Sequence, residues 1–307
     1  MTLQILFFLF TTFFIPLSFI LWLWRALFKS KFDWLMLVLL SGTYILLIFL
    51  VGSWSWLSYY VRFLFLALYI IGTFISFWRC RTQPVFIKRK EGEWVALIVF
   101  SLATFLFTIM LIFTLMGYSF SEESIRLEFP LKNGQFYIAQ GGNSPLINNH
   151  HHPQSPLKFA LDITKLYSSG NRANGIYPDE FEKYAIYENN VYSPCNGLVI
   201  AITDSIADSP ISEPDTTHFK GNFIKLQSKG IYIYLAHLKD GSIKVNPGDT
   251  VESGQLLARV SNSGYSTEPH LHIHAEIDDS TAFMKRRAVA ILFQDDFLIR
   301  NDIYTAK

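Results

Sequence analysis

Pro269-His270-Leu271-His272-Ile273-His274, running on through Ala275-Glu276-Ile277, alternates in character with the two-residue period of a β-strand. Residues i and i+2 of a strand share a face. His270 and His272 therefore point into the same space, and His274 continues that face. Two imidazoles on one side of a rigid strand, joined by a carboxylate from elsewhere, are the parts from which a Zn2+ site is built. All eight histidines lie after residue 149, which places one histidine-rich site in the second half of the chain.

Outward from that strand, the second half continues as strands and turns. Residues 125–129, 136–140, 158–163, 197–203, 222–227, 231–236 and 255–260 are rich in Ile, Val, Tyr and Phe and are punctuated by Gly, Asn, Pro and Asp, the pattern of an antiparallel β domain. Residues 179–190 read as a short helix or a charged loop, and 204–219 as an exposed polar loop.

The first half is of another kind. Four apolar runs, near 3–24, 34–52, 59–78 and 94–117, hold one charge between them, Arg62, and are apolar all round rather than amphipathic, as membrane-spanning helices are. The first lacks a basic stretch before it and is followed by one, so it reads as a span rather than a cleaved signal. The fold class is thus an α-helical transmembrane region, 1–118, followed by a mainly antiparallel β domain, 119–307. Nine of the 26 Lys and Arg and three of the 25 Asp and Glu fall in 1–117, leaving 17 and 22 for the rest. The β domain is therefore acidic, which argues against nucleic-acid binding.

Arg25, Lys29 and Lys31 lie between runs one and two, and Arg79, Arg81, Lys88, Arg89 and Lys90 between runs three and four. Short Lys/Arg-rich connections stay in the cytoplasm. That places a multi-pass protein in the cell (plasma or inner) membrane, with its N-terminus and β domain outside the cytoplasm. Arg62, near a span end, is expected to reach the interface. Cys80 and Cys195 then lie on opposite sides of the bilayer and cannot pair. Cys195 sits in a turn without an activating partner.

Zinc hydrolysis needs three protein ligands and an open position for water, with a nearby group to move protons. Asp162 offers a carboxylate at the end of an apolar strand, His272 a strand imidazole, and one of His150, His151 or His152 the third ligand. His237 and His270 remain for proton transfer or support. His274 reads as a hydrogen-bonded strand histidine, and His218 and Glu268 as solvated side chains.

Val191-Tyr-Ser-Pro-Cys-Asn-Gly-Leu-Val199, Tyr234-Leu-Ala-His-Leu238, Val245-Asn-Pro-Gly-Asp-Thr-Val-Glu-Ser-Gly-Gln255 and Ser261-Asn-Ser-Gly-Tyr-Ser-Thr-Glu-Pro-His-Leu-His272, in that order, resemble the M23 metallopeptidases of LytM or lysostaphin type over roughly 132–277. The resemblance implies an M23-type β fold, one Zn2+, and cleavage of cross-link or stem peptides of peptidoglycan. Position by position, Asp162 and His272 resemble the metal ligands, and His237 and His270 the catalytic histidines that bind none. The common pattern has a ligand His four residues before the Asp, where this chain has Lys158; resemblance to a subgroup with the ligand further upstream implies His150. Other functions left open are a zinc peptidase acting on a secreted or membrane protein, and a non-catalytic adaptor or activator of cell-wall hydrolases. The partners implied are a peptide substrate, the lipid bilayer and, since one span suffices for tethering, an unnamed membrane protein.

Overall fold

The computed structural model describes residues 2–151, 156–281 and 284–307. Two compact units emerge: Met1–Trp54 with Tyr60–Leu115, and Ser55–Tyr59 with Met116–Lys307.

The first unit is helical. Thr2–Leu9 (α1) passes through a π turn, Phe10–Phe14, into Ile15–Arg25 (α2), and Lys31–Val51 (α3), Val61–Cys80 (α4) and Glu91–Met116 (α5) follow. Ile5–Arg25, α3, α4 and α5 are four helices long and apolar enough to cross a membrane. Ser30 caps α3, its hydroxyl accepting from the Asp33 amide at 3.1 Å, and Asp33 favours the positive end of that helix. Small residues let the helices approach: a Cβ on Gly72 would collide with the Trp24 indole. Outward-facing Phe74, Leu102 and Phe105 are exposed, as side chains meeting lipid rather than water would be. Arg62 lies over the rings of Phe49 and Phe63. The two basic connections meet. Lys29 pairs with Glu93 and Arg89 with Asp33, each at 3.0 Å, and the amides of Lys31 and Phe32 donate to Pro84 and Val85 carbonyls.

The second unit is built on a ten-stranded sheet. Its strands are Ser124–Leu127 (β1), Gly134–Gln140 (β2), Leu161–Lys165 (β3), Gly197–Thr203 (β5), Asn222–Ser228 (β6), Ile231–Leu238 (β7), Thr250–Val251 (β8), Leu271–Asp278 (β10), Arg286–Phe293 (β11) and Ile303–Ala306 (β12). The order β12-β2-β3-β10-β7-β6-β5-β8 is antiparallel throughout, with β11 beside β10 and β1 parallel to β11. Asn190–Tyr192 (β4) and Leu256–Arg259 (β9) form a separate pair, whose Val191, Leu257 and Ala258 join the same apolar core as Ile163, Leu235, Leu271 and Ile273.

The expected strands are present with shifted ends. β4, β8, β11 and β12 were not anticipated. The strand expected to start at 158 begins at Leu161. Within 179–190 the chain is largely loop, with one 3-10 turn at Phe181–Lys183 and β4 opening at its end.

β3, β10 and β7 are adjacent in the sheet. Asp162 stands opposite His272, and His272 opposite Ala236. Directly paired residues share a face, so Asp162, His272 and, two residues on, His274 and its partner Tyr234 lie on the side away from the core.

Candidate metal centre

Asp162 is the hub of this face. It is buried, yet histidines surround its carboxylate. His272 Nδ1 is 3.0 Å from Oδ1, His151 Nε2 and His270 Nε2 are each 3.5 Å from Oδ1, and His150 Nδ1 is 3.6 Å from Oδ2. Donor atoms of His151, Asp162 and His272 lie within 4.8 Å of one another. Ligands of a tetrahedral zinc, at bonds near 2.1 Å, stand about 3.4 Å apart. The 3.0 and 3.5 Å separations from Oδ1 to His272 and His151 are close to that edge, so the donor set fits a small cation favouring nitrogen and oxygen.

The histidines are aimed by what holds their other nitrogen. Asn148 Nδ2 donates to the carbonyls of Gly142, Lys158 and Ala160, each at 3.1 Å. Three acceptors fix the amide's orientation, leaving Oδ1 to accept from His151 Nδ1 at 2.6 Å. His151 Nε2 is thereby the nitrogen offered to the centre. His270 Nδ1 donates to the Glu268 carbonyl at 2.8 Å, and His237 Nδ1 to the Ser263 carbonyl at 2.8 Å. Carbonyls only accept, so Nε2 carries the lone pair in each neutral ring. His272 Nε2 is 2.9 Å from His274 Nδ1. A metal-binding imidazole is held in this way, by a partner on the nitrogen that faces away.

His237 reaches the site by an irregular backbone. Ala236 faces the site opposite His272, so regular alternation would send His237 toward the core. Its φ of +60° turns the side chain back, and its ring centroid lies 4.7 Å from that of His270. Such a conformation costs a non-glycine residue about 1–3 kcal/mol. It is held by the His237 amide donating to Lys220 and by the Ser261 amide donating to the His237 carbonyl.

These surroundings set the charges. Burial works to raise Asp162, but His151 and His270 override it and hold the carboxyl well below its usual range. His237 is held well below the ordinary imidazole value by burial and then by its neighbours His270 and His272. Burial also lowers His272 and, more strongly, His274. His270 is the opposite case: burial lowers it, and the Asp162 carboxylate more than compensates, so its pKa is raised.

Of the residues singled out in the sequence, Asp162, His237, His270 and His272 come together. His150 stands beside Asp162 with 64% of its side chain exposed. It is outside the three-residue donor cluster, where its neighbour His151 is found with 5% exposed. The physical reason is Asn148, which seats residue 151 and not 150. His152 lies outside the described residues. His218 is exposed and paired with Asp215, as its polar surroundings suggested. Glu268 is not a solvated carboxylate: it is ion-paired with Arg172. Asn148 and Arg172 were missed, since neither carries a periodic or motif signal.

Residues 183–283 match the model of Peptidase family M23. His237, His270 and His272 lie inside the match; His150, His151 and Asp162 lie upstream. No curated protein matches the chain. Among solved structures, it is similar to lysostaphin in solution (19% identity, covering 40% of this chain and 37% of that one, TM-score 0.25). It is also similar to Csd3 of Helicobacter pylori (15%, 54% and 32%, TM-score 0.30) and to a zinc-containing peptidase of Vibrio cholerae (20%, 38% and 46%, TM-score 0.24). The chain thus spans less than half the length of each of these three.

Proposed function

We propose, from the premise that residues 183–283 form an M23-family peptidase segment, that this chain is a membrane-anchored zinc endopeptidase acting on peptides of peptidoglycan. The observation that carries the reading is the convergence on Asp162 of imidazole nitrogens whose opposite nitrogens are held. Preorganised nitrogen donors around a buried carboxylate serve a metal better than they serve packing.

In this reading His151, Asp162 and His272 hold the zinc; His151 takes the place that resemblance gave to His150. A zinc ion there supplies a Lewis acid that polarises the scissile carbonyl and lowers the pKa of water. His237, kept neutral by burial with its Nε2 lone pair free of Ser263, accepts the proton of the attacking water. His270, whose pKa the Asp162 carboxylate raises, is the better of the two rings to carry a proton at Nε2, and it stabilises negative charge on the carbonyl oxygen or passes the proton to the departing amine.

The N-terminal helices supply the anchor. The basic connections lie together at one end of the helical unit, while Ser55–Tyr59, between α3 and α4, belongs to the β unit. With the basic end in the cytoplasm, the β unit lies outside, where the wall is.

The test uses the full chain in detergent with purified sacculi. Release of new amino termini, abolished by a chelator and restored by zinc, is the expected result. A folded chain that binds no zinc, or binds it without releasing peptide ends, counts against the reading. Cleavage of a secreted protein with sacculi left intact moves the substrate and keeps the chemistry.

A further inference from the structure

Ser55–Tyr59 is contributed from between α3 and α4, yet it folds as part of the β unit. Hydrogen bonds tie it to one short stretch, 169–172. The Arg172 amide donates to Ser55 O at 3.0 Å and the Tyr59 amide to Gly170 O at 2.8 Å. Ser58 Oγ donates to Ser169 O at 2.7 Å, and the Asn171 side chain donates to Leu57 O. Four hydrogen bonds over so few residues fix the segment's register on that stretch and set the Trp56 indole over the Arg172 guanidinium, 4.4 Å from ring centroid to Cζ.

Arg172 is 1% exposed. Its Nε lies 2.8 Å from both carboxylate oxygens of Glu268, its Nη2 2.5 Å from Oε2, and its Nη1 donates to Ile176 O at 3.1 Å. A planar guanidinium engaged along two edges and covered on a face has one orientation. Tyr177, whose ring packs 5.2 Å from that of Trp56, donates its hydroxyl to Thr267 O at 2.9 Å. Thr267 and Glu268 are thus both held from the Trp56 side. Next comes Pro269, whose φ is locked by its ring, and then His270, whose Nδ1 donates to the Glu268 carbonyl at 2.8 Å.

We infer that Arg172 is a positioning residue for His270, acting through Glu268, and that the Ser55–Tyr59 segment completes the peptidase unit by clamping Arg172 with Trp56. The carboxylate of Glu268 is committed to Arg172 and so holds the backbone that carries and orients His270. The peptidase unit is therefore discontinuous in sequence, and a chain cut at residue 118 lacks one wall of it. The inference rests on the peptidase reading for its effect on rate, but not for the coupling itself.

The test compares the full chain in detergent with Trp56→Ala, Trp56→Phe and Arg172→Met, reading metal content, steady-state kinetics on a peptide substrate and amide hydrogen exchange. Trp56→Ala is expected to speed exchange in 169–172 and in 265–270 and to lower kcat about tenfold with KM and zinc content unchanged, the scale of a lost support to a catalytic group. Trp56→Phe, which keeps an aromatic face over the guanidinium, restores most of both; Arg172→Met gives the larger loss where it folds. Unchanged exchange in 265–270 in Trp56→Ala overturns the inference, as does faster exchange with kcat unmoved, which leaves the segment merely structural. If the wild-type chain cleaves no peptide, the peptidase reading fails, and the exchange data alone decide whether Trp56 is coupled to the His270 strand.

Discussion

His272 Nε2 lies 2.9 Å from Nδ1 of His274, two residues along the same strand, and the His274 ring stacks on Tyr234 with centroids 4.6 Å apart and planes 11° apart. One of the two nitrogens donates to the other, and the tautomers decide which. If His272 Nδ1 is to offer its lone pair to a cation, its proton must sit on Nε2, and His274 in the tautomer with a bare Nδ1 would accept it. Removing His274 removes the acceptor and frees the ring. His274→Ala is expected to weaken zinc binding about ten- to hundredfold, read by competition with a chromogenic chelator. His274→Gln, which offers an amide oxygen, recovers part of the loss. Full affinity in His274→Ala would make His274 a packing residue only.

Ligation by His151 rather than His150 is the second prediction. His151 is buried and held by Asn148 at 2.6 Å, whereas the His150 side chain is 64% exposed. An exposed side chain loses more rotamer freedom on binding a metal than one already fixed. His151→Ala is expected to abolish stoichiometric zinc, and His150→Ala to leave it within a factor of a few. Asn148→Asp supplies no N–H for the carbonyls of Gly142, Lys158 and Ala160, so it too lowers affinity. The reverse pattern between the two histidine variants restores His150 as the ligand.

The same asparagine explains part of what the sequence left illegible. Its amide takes the carbonyls of Lys158 and Ala160, so the ladder expected from 158 starts only at Leu161. The shared face of His270, His272 and His274 is legible because a strand's period places it there without tertiary information. His237 is a different matter: alternation alone sends it to the core, and only its left-handed backbone returns it. β11 was hidden because Ala288–Phe293 is a continuous apolar run behind two arginines, with no alternation to read. The Arg172–Glu268 pair joins residues 96 apart, and nothing local in either stretch announces it.

The buried histidines give the metal-free chain a pH dependence whose direction can be worked out. His237, His272 and His274 have depressed folded pKa values, so below an unfolded value of about 6.5 the unfolded chain binds their protons more readily, and stability falls as pH falls. His270 is raised, so its contribution grows as pH falls toward about 6.5 and is fully present below it. Asp162 is depressed and adds a further loss below about pH 4. Below about 6.5 the three depressed rings alone set the slope, which is destabilising. The melting temperature of the chelator-treated chain is expected to drop between about pH 6.5 and 5.5, and less steeply in His274→Gln, which removes one of the three. A melting temperature that rises on acidification would reverse the assignment of neutral rings.

His237 is the group on which proton transfer in the proposed reaction rests, and its support is costly enough to be informative. A histidine at φ +60° is strained by about 1–3 kcal/mol, and a regular strand would have placed it in the core without that cost. The strain is matched by a gain in aim: Nδ1 is committed to Ser263 O at 2.8 Å, so Nε2 faces His270 and the centre. A group that supports only the fold would be improved by a residue tolerating that backbone; a group that moves a proton would not. His237→Gly relieves the backbone and removes the imidazole. It is expected to raise or preserve the melting temperature, to keep zinc, and to lower kcat by about 10²–10⁴-fold. His237→Asn, at ease in the left-handed region but unable to take the proton, is expected to be equally slow. A His237→Gly chain that turns over at the wild-type rate would remove His237 from the chemistry and leave His270 as the sole proton carrier.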